Sequence, residues 1–215
     1  MSDCCDPVPY RRFFNRKEAA RNVKAYRQKG LDSMASSMVD FLKSRNLEGA
    51  DLLEVGGGIG AIQIELLKAG LDKSVNVELS SGYDDAAHML AEEEGVEERI
   101  TRHTGDFVER QDQIESADVV VMNRVICCYP WMERMMGAAV GKANRYLALV
   151  FPREKWWVKF GRMIANASFA LRKCEFRSFV HSPDAIESVA TDAGFVVAYA
   201  DNSLLWQALV LERAA

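Results

Sequence analysis

The sequence predicts an α/β protein with a mostly parallel sheet and helices on both of its faces. Short apolar runs alternate along the chain with amphipathic stretches of helical period, which is the pattern of βαβ units. The first apolar run ends in a glycine-rich loop, and the last two runs are separated by a tight turn. With 215 residues, 49% hydrophobic and 27% charged, the chain has the size and composition of one compact unit.

The N-terminal segment is predicted to contain two helices. Residues 15–45 are rich in helix-forming residues, and apolar side chains such as Met34, Met38 and Leu42 recur at helical spacing. Gly30 interrupts this pattern, and glycine commonly ends a helix. We therefore predict one helix before Gly30 and a second one after it.

These two helices precede the first strand and so have no place inside the sheet. We expect residues 1–46 to form a helical cap or lid over the open edge of the sheet, and residues 47–215 to form the main domain. In a lid, Tyr26 and Lys29 would lie closest to a bound ligand, because they come just before the break at Gly30. The alternative is that the segment only packs against the domain.

The first half of the main domain is predicted to alternate regularly between strands and helices. Helix ends are marked by glycines, and the strands are short apolar runs. The predicted elements are a strand at Asp51–Val55, a helix at Ala61–Ala69, a strand at Ser74–Glu78, a helix at Tyr83–Glu94 and a strand at Ile100–His103.

The second half begins with a central strand, which is apolar on both faces as a covered parallel strand requires. It is followed by a helix, a strand and a longer helix that carries two adjacent tryptophans. We interpret Trp156 and Trp157 as anchors of this helix in the core, with stacking on a substrate as the alternative. The predicted elements are a strand at Ala117–Met122, a helix between Pro130 and Arg145, a strand at Tyr146–Phe151 and a helix at Lys155–Arg172.

The last elements are a helix and two strands that form an antiparallel hairpin. The helix runs from Pro183 to Gly194, and the strands are predicted at Phe195–Ala200 and Leu204–Glu212. The turn between them is placed at Asp201–Ser203, because Asp, Asn and Ser are common turn residues. The sheet therefore has seven strands and ends in a hairpin.

The glycine-rich loop predicts a site for a ligand with an adenosyl group. A strand that turns sharply into a helix needs glycine where a ligand comes close to bare backbone. The pattern fits both dinucleotide cofactors and S-adenosylmethionine, so the loop alone does not separate them. The glycines are Gly56, Gly57, Gly58 and Gly60.

Three acidic residues favour S-adenosylmethionine. Glu54 precedes the first glycine by two residues, and an anion there suits a ligand with an ammonium and a sulfonium better than a pyrophosphate. Glu78 ends the second strand, where a carboxylate accepts hydrogen bonds from ribose hydroxyls, and this feature suits NAD equally. Asp106, followed by Phe107, is placed to meet an adenine. The alternatives are a surface charge for Glu54 and a helix cap or turn residue for Asp106.

From residue 51 to residue 212 the chain resembles the Rossmann-like class I S-adenosylmethionine-dependent methyltransferases, whose seven-stranded sheet ends in such a hairpin. The resemblance implies that the glycine loop surrounds the methionine part of the cofactor and that the residues after the fourth strand lie beside the sulfonium. The residues expected to bind the cofactor are Tyr26, Glu54, Gly56, Gly57, Gly58, Gly60, Glu78, Leu79, Asp106, Phe107, Asn123 and Arg124.

The second half also resembles the magnesium-protoporphyrin O-methyltransferases in the arrangement of residues 124–130, 151–152 and 179–184. This resemblance implies a small-molecule acceptor that is aromatic or carries a carboxylate. A phenol or amine acceptor needs a general base, for which Tyr129 and His181 are the candidates. A capping or core role is the alternative for His181.

Other functions receive less support from the sequence. An NAD-dependent oxidoreductase shares the glycine loop, and a non-catalytic cofactor-binding protein is a further alternative. The tetrapeptide N/D-P-P-Y/F of base-amino methyltransferases is absent after the fourth strand, where Asn123–Ile126 stands instead. The net charge of −4 also disfavours a nucleic-acid partner.

The remaining expectations concern metals and location. The adjacent pairs Cys4–Cys5 and Cys127–Cys128 lack the spacing of zinc ligands, so we expect no metal and interpret the cysteines as reduced thiols. The first sixteen residues contain no apolar core of a secretory signal, and the chain contains no long apolar run. We therefore expect a cytoplasmic protein without a membrane partner. The acceptor, the methylated atom and the oligomeric state stay open.

Overall fold

The computed structural model describes residue 10 and residues 13–172 and 174–214. Cys4 and Cys5 lie outside the described residues. The described chain forms a seven-stranded sheet in the order β3-β2-β1-β4-β5-β7-β6. The strands are β1 (Leu52–Val55), β2 (Ser74–Glu78), β3 (Ile100–Thr104), β4 (Ala117–Asn123), β5 (Ala143–Pro152), β6 (Phe195–Asn202) and β7 (Trp206–Arg213).

The first five strands are parallel, and β7 pairs antiparallel with both β5 and β6. This confirms the predicted mostly parallel sheet with a C-terminal hairpin. The helices in the described residues are α1 (Arg16–Lys29), α2 (Ser33–Lys43), α3 (Ala61–Lys68), α4 (Asp84–Glu93), α5 (Phe107–Arg110), α6 (Met132–Lys142), α7 (Trp156–Leu171) and α8 (Pro183–Thr191).

Helices cover both faces of the sheet, as expected. Alternate residues of the central strands point into two separate cores, so Val119 and Val121 of β4 belong to one and Val120 and Met122 to the other. The first core contains buried residues of α1, α2, α3 and α4, and the second contains those of α5, α6 and α8. Strand β1 pairs with β2 on one side and β4 on the other, which makes the edge beyond its carboxyl end a topological switch point.

The two N-terminal helices form with the predicted break between them. Gly30 follows the last residue of α1 with φ 68, and Asp32 caps α2 by accepting hydrogen bonds from Met34 N and Ala35 N. Helix α1 buries Ala19 and Val23 in the first core. The division of the chain into residues 1–46 and 47–215 stays a prediction.

Three details differ from the prediction. A short helix, α5, follows β3, and β5 begins at Ala143 rather than Tyr146. The hairpin turn lies at residues 203–205, because Asp201 and Asn202 remain paired with Ala208 and Gln207 in the sheet. Local turn propensity is overridden here by strand pairing.

The interpretation of the two tryptophans as core anchors was wrong. Trp156 is 75% exposed and Trp157 is 37% exposed, and Val158 is the buried residue of α7. The period of a helix shows which residues share a face, but it does not show whether that face meets the core.

Candidate functional site

A cavity of about 570 Å³ opens at the carboxyl ends of β1, β2 and β4. Its volume is in the range of small-molecule and cofactor sites. Most of the predicted site residues lie in its wall, while Gly60 and His181 do not. The predicted residues that line it are Tyr26, Glu54, Gly56, Gly57, Gly58, Glu78, Leu79, Asp106, Phe107, Asn123, Arg124 and Tyr129.

The glycine loop gives the cavity a surface of bare backbone. A Cβ on Gly57 would lie 2.2 Å from Nδ2 of Asn76 and 2.6 Å from Cδ of Glu54, so no other residue fits there without a shift. Gly58 has φ 57, a left-handed conformation that glycine adopts at little cost. Both positions therefore require glycine, one for space and one for backbone conformation.

Glu78 connects the second strand to this loop. Its carboxylate is buried and accepts hydrogen bonds from Gly58 N and Ser80 N, both at 2.9 Å. Burial raises the pKa of Glu78, and the two backbone donors oppose that rise by stabilising the charged form. The side chain thus fixes the loop while it lines the cavity.

Glu54 is buried below the loop, with 2% of its surface exposed. The interpretation of Glu54 as a surface charge was therefore wrong. Asn76 Nδ2 donates to its Oε2 at 3.3 Å. Burial raises the pKa of Glu54 to about 8, which leaves the carboxyl group mostly protonated at neutral pH until a cation approaches it.

Asp106 is a helix cap and also a cavity residue. Its Oδ1 accepts hydrogen bonds from Val108 N at 2.8 Å and Glu109 N at 3.4 Å, which caps α5. The neighbouring Phe107 is buried and lies in the wall of the same cavity. The capping alternative is thus correct for Oδ1, and it is compatible with a further contact through Oδ2.

The two residues after the fourth strand carry unsatisfied polar atoms. Asn123 Oδ1 and Arg124 Nε are buried and have no hydrogen-bond partner among the described residues. Such groups cost free energy in a folded protein unless a ligand or water satisfies them. Asn123 and Arg124 both line the cavity, so these unsatisfied groups belong to residues that a ligand there would contact.

Arg124 is also held in a strained conformation. Its φ is 62, a left-handed value that is uncommon for a residue with a side chain. The guanidinium lies 2.9 Å from Asp32 Oδ1 and 4.5 Å from the centre of the Trp206 ring. Strain of this kind concentrates at functional sites. Here Asp32, at the start of α2, and Trp206, in the hairpin, both contact the Arg124 side chain.

The N-terminal segment forms part of the cavity wall. Tyr26 OH donates to Glu65 Oε1 at 2.9 Å, and burial together with this carboxylate raises the pKa of Tyr26. Asn22 Nδ2 donates to Tyr83 OH at 3.3 Å. Lys29 lies in the wall as predicted. Helix α1 is therefore joined to the residues below and beside the glycine loop.

The wall also contains aromatic side chains. Tyr10, Phe14 and Tyr129 line the cavity, and Tyr10 OH donates to the backbone oxygen of Cys128. His181 Nε2 lies 2.9 Å from the backbone oxygen of Tyr129. A carbonyl oxygen can only accept, so Nε2 carries a proton in this bond and His181 holds the Tyr129 segment in place.

Several contributing residues were not predicted from the sequence. Asn76 bonds Glu54, Asp32 pairs with Arg124, and Tyr83 lies below Gly58. A polar residue inside the apolar strand β2 was a signal for Asn76. Asp32 and Tyr83 gave no signal, because each contacts a partner distant in the sequence.

Comparisons with known proteins identify the family and the fold. A profile of the O-methyltransferase domain matches residues 9–138, which is more than half of the chain. A comparison with curated protein sequences gives no match.

Solved structures share the fold. The magnesium protoporphyrin IX methyltransferase of Synechocystis PCC 6803, solved with S-adenosylhomocysteine, superimposes with a TM-score of 0.76 at 21% identity, over 97% of this chain and 100% of that one. An O-methyltransferase family 2 protein from Planctomyces limnophilus, solved with apigenin, gives a TM-score of 0.67 at 18% identity, over 93% of this chain and 62% of that one. An O-methyltransferase family protein from Burkholderia thailandensis gives 0.66 at 18% identity, over 94% and 64%.

The family match decides against the dinucleotide-dependent alternative that the glycine loop left open. The chain belongs to the O-methyltransferase domain family and is a class I S-adenosylmethionine-dependent methyltransferase.

Proposed function

We propose that the chain transfers a methyl group from S-adenosylmethionine to an oxygen atom of a small molecule that carries an aromatic ring or a carboxylate. The observation that carries the proposal is a single cavity whose wall contains the glycine loop, the acidic residues Glu54, Glu78 and Asp106, aromatic side chains and Arg124. When bound, the cofactor supplies a methyl group activated by a positively charged sulfur.

The residues of the cavity fit this cofactor. Glu78 is the acceptor for the ribose hydroxyls, and Asp106 with Phe107 contacts the adenine. The buried carboxyl group of Glu54 compensates positive charge, and the unsatisfied Asn123 Oδ1 accepts a hydrogen bond from a donor on the ligand. The bare backbone of the glycine loop allows close approach.

Arg124 supports an acceptor with a carboxylate. Its partner Asp32 is partly exposed, so a carboxylate of the acceptor can replace Asp32 in a charge-assisted hydrogen bond. The aromatic rings of Phe14 and Tyr129 provide a surface for an aromatic acceptor. Positioning the acceptor oxygen opposite the leaving sulfur supplies much of the rate acceleration.

The need for a general base depends on the acceptor. A carboxylate is already a nucleophile at neutral pH, so it needs none, whereas a phenol requires loss of a proton. Tyr129, in the cavity wall, is our candidate for the general base that accepts this proton. For His181 we propose a positioning role through its bond to the Tyr129 backbone in place of the general-base role expected from the sequence.

The proposal is tested by incubating the protein with methyl-labelled S-adenosylmethionine and a metabolite extract, followed by mass spectrometry. We expect label in small aromatic or carboxylate-bearing compounds, as ethers or esters. The Gly58→Val variant, which we expect to bind the cofactor much more weakly, is the control. Label only as N-methyl or S-methyl groups, or in no compound of the extract, would contradict the proposal.

The pKa of Glu54 gives a pH dependence of cofactor binding. Below pH 8 the buried carboxyl group must lose its proton when the ammonium group of the ligand binds beside it, because that positive charge lowers the pKa of Glu54 from about 8. We therefore expect the affinity for S-adenosylhomocysteine to rise with pH by up to about tenfold per unit below pH 8, and to level off above it.

Calorimetry in buffers of different ionisation enthalpy measures this effect, since proton release changes the observed heat. In Glu54→Gln the rise with pH should be much smaller, because the amide carries no titrating proton. An affinity of the unchanged protein that is constant between about pH 6 and 8 would show that Glu54 binds no cation.

The lid hypothesis gives a prediction for helix α1. Its residues Glu18, Asn22 and Tyr26 line the cavity, whereas Ala19 and Val23 are buried in the core. We expect hydrogen exchange in residues 15–30 to slow when S-adenosylhomocysteine binds, with helix α8 as an unaffected control. If the glycine loop becomes protected while residues 15–30 do not change, α1 is only a packing helix.

A further inference from the structure

Helix α7 exposes its apolar side chains to solvent. The exposed fraction ranges from 53% for Phe160 to 87% for Leu171. The spacing of these residues places them on one side of the helix, opposite to the buried Val158. The exposed apolar residues of the helix face are Trp156, Phe160, Met163, Ile164 and Leu171.

The tip of the β6–β7 hairpin extends this apolar face. Leu204 and Leu205 are 72% and 49% exposed. Trp157 Nε1 donates to the backbone oxygen of Leu204 at 3.4 Å, and Arg153 N donates to that of Leu205 at 3.0 Å, so the tip lies beside the start of α7. We call the helix face and the tip together the α7 surface. Contiguous exposed apolar residues of this kind mark interaction sites.

The segment that forms the α7 surface carries a net positive charge. Between Arg153 and Arg172 the sequence contains five basic residues and one acidic residue, although the whole chain has a net charge of −4. The acidic residue, Glu154, is paired with Lys159 at 2.7 Å. Lys155 and Arg172 are exposed at the two ends of the helix. A partner for this surface must combine apolar contact with negative charge.

We propose that the α7 surface binds the surface of an anionic lipid bilayer. A helix with tryptophan and large aliphatic residues on one face and basic residues beside it is the type that lies in the membrane interface. No helix in the described part of the chain is long and apolar enough to cross a bilayer. The proposed contact is that of a helix lying in the interface plane. The sequence was expected to have no membrane partner because it lacks a long apolar run and a secretory signal, and neither feature bears on an exposed apolar surface of this kind.

Charge also argues against a second copy of the chain as the partner. In a two-fold symmetric contact through the α7 surface, the basic residues of both copies would meet across the interface, which is unfavourable. Anionic headgroups neutralise the same charges. Each exposed basic residue near the headgroups then adds to binding.

The α7 surface is connected to the cavity described above. Phe169 of α7 contacts the rings of Phe13 and Phe176 at centroid distances of 5.3 Å and 5.5 Å. The Phe176 ring also lies 5.5 Å from that of Phe14, which lines the cavity. A bilayer bound at α7 therefore contacts the helix that supports this part of the cavity wall.

The test is sedimentation of the full chain with vesicles of phosphatidylcholine alone and of phosphatidylcholine with phosphatidylglycerol. We expect binding to the anionic vesicles and much weaker binding to the neutral ones. The combined variant Trp156→Ser, Phe160→Ser, Ile164→Ser should bind at least about tenfold more weakly, because it removes exposed apolar area. Lys155→Glu should weaken binding by about fivefold or more, and added salt should act in the same direction.

Met89→Ser is the matched control, since Met89 is 40% exposed on α4, away from the α7 surface. Cofactor binding by each variant shows that it is folded, and quenching of tryptophan emission by brominated lipid gives a second measurement on the unchanged protein. The proposal is overturned if the unchanged protein binds neither kind of vesicle, or if the combined variant binds the anionic vesicles as tightly as the unchanged protein. It is also overturned if light scattering shows a dimer that the combined variant loses, since the surface then joins two copies.

Discussion

Gly58→Val is expected to weaken binding of S-adenosylhomocysteine by at least about a hundredfold while the protein remains folded. Gly58 has φ 57, and a β-branched residue in this conformation costs about 1–3 kcal/mol. A Cβ at Gly58 would lie 3.4 Å from the Tyr83 ring, which is ordinary contact, so the fold itself can accept the change. The added side chain stands in the wall of the cavity where the cofactor must approach.

Calorimetry measures the affinity, and thermal unfolding shows that the variant is folded. Gly137→Val is the matched control, because Gly137 is exposed in α6 and a Cβ there meets no atom within 4 Å. That variant should bind the cofactor like the unchanged protein. Normal binding by Gly58→Val would mean that the glycine loop is not the site.

The sequence predicted the parts of the site that depend on local chemistry. Gly58 was recognisable because a strand that turns at once into a helix needs glycine, and Glu54 and Glu78 because they stand at the ends of predicted strands. Each of these inferences used fewer than ten neighbouring residues. The structure places all three in the cavity wall.

The contacts between distant segments were not predictable in this way. The pair of Asp32 with Arg124 and the stacking of Arg124 on Trp206 join three separate parts of the chain. Nothing local to Arg124 indicated its left-handed backbone, which glycine or asparagine would adopt more easily. Long-range pairing decides such features, and one sequence contains no direct record of it.

The error on Trp156 has a related physical cause. The period of α7 correctly predicts one apolar face, and apolar faces usually meet the core. In this protein the helix instead packs through its other side, around Val158. The exposure of Trp156 contradicts the core interpretation, and the same exposure identifies the α7 surface.

Glu78→Ala is expected to weaken binding of S-adenosylhomocysteine by roughly ten- to a hundredfold. We propose that Glu78 accepts hydrogen bonds from the ribose, and a hydrogen bond to a charged group contributes about 1.5–3 kcal/mol. The same carboxylate accepts from Gly58 N and Ser80 N, so alanine also releases the loop. Glu78→Gln keeps one acceptor oxygen, so its affinity should lie between those of the unchanged protein and Glu78→Ala. Glu115→Ala, at an exposed position, should have no effect.

A comparison of ligands separates ribose recognition from loop support. The unchanged protein should bind S-adenosylhomocysteine more tightly than its 2′-deoxy analogue, because the analogue lacks one of the hydroxyls that Glu78 accepts. In Glu78→Ala this preference should disappear, since the acceptor is gone and both ligands lose the loop support equally. If the variant binds both ligands weakly but keeps the preference for the hydroxyl, Glu78 acts only by holding Gly58 and Ser80. Unchanged affinity of the variant for S-adenosylhomocysteine would remove Glu78 from the site.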